Sequence, residues 1–169
     1  EWPTRGKRSV LGAASGMVAG LATITPASGF VSIGSAVCIG LVSGAGCFFG
    51  VTKLKSKCGY DDSLDVFGVH GVGSTIGMLM LGMLASADVN AAIATTFKEG
   101  DTVVSLAGGG AQLLNQAIAI GITVLLSGVV TWILLKVIAA TIGLRVPQED
   151  EHSGLDLTEH GESAYNDAA

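Results

Sequence analysis

The chain has 169 residues, of which 49% are hydrophobic and only 14% are charged, with a formal net charge of −5. The charged fraction is well below the roughly 25% of an average soluble domain. Residues 9–52, 66–87 and 102–135 contain no Lys, Arg, Asp or Glu, which excludes a water-soluble fold and predicts an integral membrane protein, because about 20 apolar residues cross a bilayer.

The first uncharged stretch is long enough for two crossings. Pro and Gly in residues 25–29 (TPASG) divide it, because these residues end helices. Spans are therefore predicted over about 9–27 and 30–51. Residues 1–9 are polar and basic, without a cleavable signal peptide or an initiator Met, so we expect the chain to come from a longer protein. Three cysteines suggest no disulfide framework, and we interpret them as reduced and structural.

A short basic connection over residues 53–62 leads to the third predicted span, about 66–87. A long, mildly polar loop over about 88–110 precedes the fourth, about 114–142. The predicted fold is thus all-α with four transmembrane helices. Trp132 lies one helical turn before Lys136, as expected of a residue in the aromatic belt at the membrane surface.

Basic residues mark the cytoplasmic side of short loops. Of the nine basic residues, only Lys98 falls in the loop between the third and fourth predicted spans. Four crossings put both termini on the other side, which is predicted to be cytoplasmic. The eight basic residues on that side are Arg5, Lys7, Arg8, Lys53, Lys55, Lys57, Lys136 and Arg145.

Glycines recur every four residues within the predicted spans. In lipid, small residues let helices approach closely enough for van der Waals contact to hold a bundle together. The pattern predicts tight helix packing. The positions are Gly12, Gly16 and Gly20, then Gly40 with Gly44, Gly46 with Gly50, and Gly73 with Gly77.

His70 is the one ionisable side chain inside an uncharged stretch. An imidazole in hydrocarbon needs a partner or a water-lined cavity, and such residues mark ion paths or proton relays; a structural histidine is the alternative. Asp65 is predicted to cap this helix by accepting from the backbone N–H of Phe67 or Gly68. Asp62, like its neighbour Asp61, is expected to face water.

Three blocks carry a family resemblance: residues 12–31 (GAASGMVAGLATITPASGFV), 61–73 (DDSLDVFGVHGVG) and 143–165 (GLRVPQEDEHSGLDLTEHGESAY). In order and spacing they resemble the ammonium transporter family (Amt, Mep and Rh proteins), with greatest similarity to the bacterial Amt branch. The resemblance implies an eleven-span fold with an inverted repeat, of which this chain is similar to the last four spans and the cytoplasmic tail. It also implies a homotrimer with one pore in each protomer.

The resemblance implies roles for individual residues. His70 is similar to one of two pore histidines that share a proton, and its partner would lie in a span outside this chain. Val66 resembles an apolar pore-wall position, Phe67 flanks the histidine, Thr25 lies near the outer vestibule and Asp65 is a buried support. His70 follows Asp65 by only five residues, which is shallow for a midplane site unless Asp65 is itself below the membrane surface.

The implied function is transport of ammonium or ammonia, with methylammonium as an analogue. Entry of a bare cation into a dry lumen costs much free energy, whereas entry of neutral ammonia costs little. Cation-π contacts would recruit ammonium at the mouth of the pore. Neutral passage and net charge transfer both remain open. The alternatives are an ammonium sensor on the same scaffold and a self-sufficient four-helix scaffold. No nucleophile motif, phosphate loop or metal-ligand set suggests an enzyme, a metal, a cofactor or a nucleic-acid partner.

From residue 149 onward the chain has seven acidic residues and no basic one, a composition typical of a solvated tail. We predict a membrane domain over 1–147 and a cytoplasmic tail over 148–169. The resemblance implies that Gly154, Asp156 and His160 belong to an ordered regulatory motif, that Thr158 is a possible phosphate position, and that a PII-type signalling protein is a possible partner. It further implies a plasma (inner) membrane location. His152 is interpreted as structural or exposed.

Overall fold

The structure, a computed structural model, describes residues 6, 9–94, 97–99, 102–104 and 106–163. Four helical segments in this part of the chain are long and apolar enough to cross a membrane. They cover Val10–Ala27, Ile33–Cys58, Phe67–Leu84 and Gly110–Thr141. The predicted helical membrane fold with four spans is confirmed.

The first span is helix α1 (Val10–Ile24) followed by a 3-10 turn over Thr25–Ala27. Ser9 begins α1 because its side chain accepts a hydrogen bond from the first turn. Pro26 fits the start of the 3-10 turn, where its missing N–H is not needed. Gly29 has φ +81°, a backbone conformation that an L side chain rarely adopts. These residues end the first span and reverse the chain.

The second span is longer than the sequence predicts. Helix α2 (Ile33–Phe49) continues through a π turn (Gly50–Leu54) into the short helix α3 (Lys55–Cys58). The predicted connection over residues 53–62 is therefore helical in its first half. Lysines are good helix formers and interact favourably with the carbonyl end of a helix. The helix ends at Gly59, which is left-handed at φ +64°.

The third span begins with a second π turn (Phe67–Gly71) and continues as helix α4 (Val72–Leu84). In the loop that follows, a 3-10 turn (Ala91–Ala94) precedes an antiparallel hairpin of β1 (Phe97–Glu99) and β2 (Thr102–Val104). The sequence predicted no regular structure in this loop.

The fourth span is helix α5 (Gly110–Thr141), and two short helices, α6 (Gln148–Ser153) and α7 (Leu155–Thr158), follow it. The fold divides into two compact units, residues 1–122 and 123–169. In the second unit, Gly143 has φ +84° directly after α5, so a conformation that favours glycine ends the long helix.

Helices α1, α2 and α4 pack together in the first unit. Their buried side chains form two clusters at different heights. The cluster near the turn after α1 contains Ala27, Val31, Ile39 and Met80, and the other contains Ala19, Cys47 and Val69. The second cluster reaches the π turn that carries His70.

The glycine intervals contribute unequally to this packing. A methyl group at Gly77 would overlap the carbonyl oxygen of Thr23, and one at Gly46 would overlap the side chain of Ile76. By contrast, no described atom lies within 4 Å of a methyl group built on Gly16 or Gly40, nor on Gly20 or Gly44. The four-residue interval identifies helices that have a face of small residues. It does not identify which of these faces contact another helix within this unit.

The predicted orientation rests partly on Arg5, Lys7 and Arg8, which lie outside the described residues, as does the side chain of Lys98. The side of the membrane on which the termini lie therefore stays a prediction.

Candidate functional site

His70 lies in the π turn at the start of the third span, and a second π turn packs against it. A methyl group at Gly50 would lie 3.2 Å from Gly68 Cα, and one at Gly68 would lie 2.9 Å from the backbone nitrogen of Val51. Glycine at both positions lets the two backbones approach directly. π turns are rare and recur at functional sites. The close approach fixes the segment that holds the histidine.

The side chain of His70 is exposed in this structure, and no described residue forms a hydrogen bond or ion pair with its imidazole. Val66 and Phe67 are also about half exposed, at 51% and 52%. Gly68 and Val69, in contrast, are buried toward α1 and α2. The structure therefore places three of the four predicted pathway residues, Val66, Phe67 and His70, on a side of the third span that α1 and α2 leave uncovered.

The depth of His70 follows from contacts of the preceding residue. Val69 accepts a weak hydrogen bond from Cys47 through its carbonyl oxygen, at a sulfur–oxygen distance of 3.7 Å. Cys47 lies near the middle of the second span, Ile33–Cys58, about 16 Å from its carboxyl end at 1.5 Å per residue. The histidine is therefore level with the middle of the second helical segment, although it lies in the first turn of the third span.

Asp62, not Asp65, caps the third span. Its carboxylate oxygens accept hydrogen bonds from the backbone nitrogens of Val66 and Phe67 at 2.9 and 2.8 Å. The predicted cap by Asp65 is therefore wrong, and Asp62, which was expected to face water, forms the cap while it stays half-exposed. Asp65 has a left-handed backbone at φ +56°, which turns its carboxylate away from the helix start.

Asp65 instead forms an ion pair with the end of the second span. Lys55 Nζ lies 2.7 Å from Asp65 Oδ1 and also donates to the carbonyl oxygen of Asp62 at 2.6 Å. The Asp65 side chain is 38% exposed, so in the described residues it is not the buried carboxylate that the resemblance implies. It supports the site by tying together the segments before and after the connecting loop.

We expect Asp62→Ala to destabilise the folded protein by about 0.5–2 kcal/mol, the cost of losing a helix cap. Two backbone N–H groups would lose their acceptor at the start of the π turn. Thermal denaturation of the purified protein in detergent measures the change. Asp61→Ala is the matched control because Asp61 is an exposed neighbour without such contacts; equal effects of both substitutions would contradict the assignment.

Tyr60 packs on the residue that flanks the histidine. Its ring meets that of Phe67 edge to face, with centroids 5.5 Å apart, a favoured aromatic geometry. Burial of the hydroxyl raises the pKa of Tyr60, and this hydroxyl has no hydrogen-bond partner in the described part of the chain. The ring pair fixes the direction of Phe67, a role that the sequence did not indicate for Tyr60.

A cavity of about 670 Å³ lies beside the site, between α1, α2 and the start of the third span. Asp65 and Val69 line it, but none of the predicted pathway residues does. Thr25 is exposed at the far end of α1, where its hydroxyl donates to the carbonyl oxygen of Leu21 at 2.6 Å. The first unit therefore does not bring Thr25 together with His70, and the cavity is not the predicted pathway.

The tail motif forms a compact turn in the second unit. Gly154 has φ +99° and leaves no space for a methyl group beside the Asp156 carboxylate, which would lie 2.7 Å away. The backbone of Asp156 accepts from Glu162, and the Thr158 hydroxyl contacts the carbonyl of Gly154 at 3.2 Å. His160 is exposed. The motif residues thus support one another locally; the end of the quoted block, Tyr165, lies outside the described residues.

A paired arginine orders the start of the tail. Arg145 makes a two-point contact with Glu151, with Nη2 2.9 Å from Oε2. This hydrogen-bonded guanidinium lowers the pKa of the Glu151 carboxyl, so the carboxylate stays charged to a lower pH than that of a free glutamate. Two-point Arg–carboxylate pairs add orientation as well as attraction, and this one joins α6 to the residues after α5.

Comparison with known proteins identifies the fold and its relatives. The model of the Ammonium Transporter Family matches residues 1–165. The chain is 43% identical over 168 residues to a Bacillus subtilis protein named "Ammonium transporter", a match that covers 99% of this chain and 40% of that protein. It is 41% identical to "Ammonium transporter Amt1" of Archaeoglobus fulgidus, covering 95% of this chain and 38% of that protein.

Solved structures give the same result. The structure is similar to that of Mep2 from Saccharomyces cerevisiae, with a TM-score of 0.70 and 38% identity over 83% of this chain. It is similar to Candida albicans Mep2 with a TM-score of 0.74 and 30% identity over 88% of this chain. These matches cover 33% and 32% of the yeast chains. The chain thus spans about two fifths or less of the length of the relatives named here.

Proposed function

The chain belongs to the ammonium transporter family, and on this premise we propose that it forms part of a pathway carrying ammonium or ammonia across the membrane. The observation that carries the proposal is the position of His70. Its imidazole has no hydrogen-bond or ion-pair partner among the described residues, and it is exposed on the side of the third span that α1 and α2 leave uncovered, level with the middle of the second span.

The low polarity of the proposed pathway would itself favour the neutral species over a cation. A bare ammonium or potassium ion entering an apolar lumen loses its hydration, whereas neutral ammonia loses little. An imidazole can accept and return a proton near neutral pH. His70 would either relay the proton or orient the neutral substrate, while Val66 and Phe67 keep the adjoining wall apolar.

The remaining residues have supporting roles in this proposal. Thr25, at the end of α1 remote from Asp65, belongs to the entrance of the pathway rather than to its middle. Asp65 supports the pathway indirectly, through its ion pair with Lys55, while Asp62 fixes the start of the π turn. The protein transports and does not catalyse a covalent reaction.

Assembly and regulation belong to the same proposal. We infer a homotrimer in the plasma (inner) membrane, with both ends of this chain in the cytoplasm. Residues 1–147 form the membrane part and 148–169 a cytoplasmic tail, in which Gly154, Asp156, Thr158 and His160 provide a contact surface. The compact turn at Gly154 supports a docking role, with a PII-type signalling protein as the partner.

Uptake of radiolabelled methylammonium tests the proposed transport. The protein, expressed from its complete reading frame, is introduced into cells that lack their own ammonium uptake and then into proteoliposomes. We expect saturable uptake in both systems that ammonium inhibits and potassium does not.

The same experiment separates transport from ammonium sensing. A sensor would bind ammonium, measured by a ligand-dependent shift in thermal stability, without any flux in proteoliposomes. Binding without flux would replace the transport proposal by the sensor.

A further inference from the structure

Three polar side chains are buried where α1 and α2 meet the π turn of the third span. Thr23 and Ser43 have no exposed surface, and Cys47 is 3% exposed. Thr23 and Ser43 are the buried polar side chains of the part of the chain that the structure describes. A buried hydroxyl group costs free energy unless it is hydrogen-bonded, so their partners indicate what they do.

The two hydroxyl groups join α1 to α2. Thr23 Oγ1 lies 2.7 Å from Ser43 Oγ, and the two oxygens lie 2.8 and 3.0 Å from the carbonyl oxygen of Ala19. One hydroxyl donates to the other and the second donates to the carbonyl, so both protons have an acceptor. The pair is therefore satisfied without water.

Cys47 extends this network to the third span. Its sulfur lies 3.8 Å from Ser43 Oγ and donates to the carbonyl oxygen of Val69 at 3.7 Å. That carbonyl belongs to the peptide group that joins Val69 to His70. The polar contacts thus run from α1 through α2 to the backbone of the histidine itself.

The surrounding helix accommodates the network. A methyl group at Gly73 would lie 2.8 Å from Thr23 Oγ1 and 3.2 Å from Cys47 Sγ, so the glycine leaves the space that the hydroxyl and thiol occupy. Apolar side chains of similar size would fill this space without any need for hydrogen bonds. The polar groups are therefore not required for packing alone.

The π turn that the network contacts differs from a regular α-helical turn. A π turn accommodates one extra residue, and its relaxation to α-helical geometry rotates the flanking residues by about 100° around the helix axis. Such a rotation would turn the His70 side chain away from its present direction. A donor held against the Val69 carbonyl favours the π turn over that alternative.

We propose that Thr23, Ser43 and Cys47 are positioning residues that hold the π turn and so fix the direction of the His70 imidazole. The proposal rests on the proposed function only in so far as His70 acts on the substrate. The network positions the imidazole whether the protein transports or senses ammonium.

The test uses the protein expressed from its complete reading frame, labelled with ¹⁵N-histidine and reconstituted in lipid. Solid-state NMR measures the tautomer ratio and chemical shift of His70, with His152 and His160 as internal references. Cys47→Ala and Thr23→Val each remove one polar group. Cys47→Ser and Thr23→Ser keep a donor, and Cys38→Ala is the matched control because Cys38 is an exposed cysteine of the same helix.

We expect Cys47→Ala and Thr23→Val to change the His70 signal and leave those of His152 and His160 unchanged. Methylammonium uptake per folded molecule should fall about threefold, which is the change that corresponds to the free energy of one interhelical hydrogen bond in a membrane. Thr23→Ser should restore both signal and uptake. In a His70→Ala background, Cys47→Ala should cause no further loss of uptake, because the effects of coupled residues are not additive.

A different result would overturn the proposal. If Cys47→Ala and Thr23→Val lower only the thermal stability and leave the His70 signal at its wild-type position, the network is structural. The NMR measurement is independent of flux, so a protein without uptake disproves the proposed function while the positioning role is still decided by the His70 signal.

Discussion

Replacement of His70 by alanine, in the protein expressed from its complete reading frame, should lower methylammonium uptake by at least about tenfold, since proton transfer by a positioned side chain contributes roughly 100-fold or more. His70 is the ionisable group that the sequence admits within residues 66–87, and the structure leaves its imidazole exposed, level with the middle of the second span. Uptake is measured per molecule, with the amount of protein in the membrane determined by immunoblotting.

His152→Ala is the matched control for this substitution, because it removes an exposed imidazole from the tail and should leave uptake at the wild-type rate. Potassium competition is measured for both variants, since the proposed pathway discriminates neutral from charged species. His70→Ala with wild-type flux and unchanged exclusion of potassium would disprove the assigned role. Loss of protein from the membrane would instead identify His70 as a structural residue.

Gly77→Ala should destabilise the folded protein by about 1–3 kcal/mol, the usual cost of overpacking a closely fitted core. A methyl group there would overlap the Thr23 carbonyl oxygen and lie 2.9 Å from Pro26 Cγ. Both neighbours are rigid, so α4 would have to move away from α1. Thermal denaturation in detergent and the yield of folded protein measure the effect.

Gly20→Ala provides the matched comparison. Gly20 lies in α1, and no described atom comes within 4 Å of a methyl group built on it. Alanine is the better helix former by about 1 kcal/mol, so this variant should be at least as stable as the wild type. A Gly77→Ala protein as stable as Gly20→Ala would show that α1 and α4 do not meet as the structure has them.

Charge patterning was sufficient to predict the fold class, because an apolar segment that is long enough to cross a membrane and carries no charge is expected to form a transmembrane helix. It was misleading at the end of the second span. The charges of Lys53 and Lys57 suggest a loop at this point of the sequence. A lysine side chain can, however, extend to water from a helix that continues. The second span instead ends at Gly59, whose left-handed conformation the sequence alone does not reveal.

The importance of His70 could be predicted from the residue alone, but its surroundings could not. The π turns depend on the approach of Gly50 and Gly68, which lie in different spans. The choice of Asp62 over Asp65 as the cap depends on one backbone angle at Asp65. The first is a tertiary effect between segments that are not adjacent in the sequence, and the second is a local backbone conformation that the residue type does not dictate.

The ion pair of Lys55 affects how many positive charges the end of the second span presents to lipid headgroups. Near an anionic membrane surface, each lysine contributes about 1 kcal/mol of attraction. Lys55 is held by Asp65 and by the Asp62 carbonyl, whereas Lys53 and Lys57 are exposed. The end of the second span therefore presents two positive charges to phosphate groups, Lys53 and Lys57, whereas Lys55 joins the second span to the segment before the third.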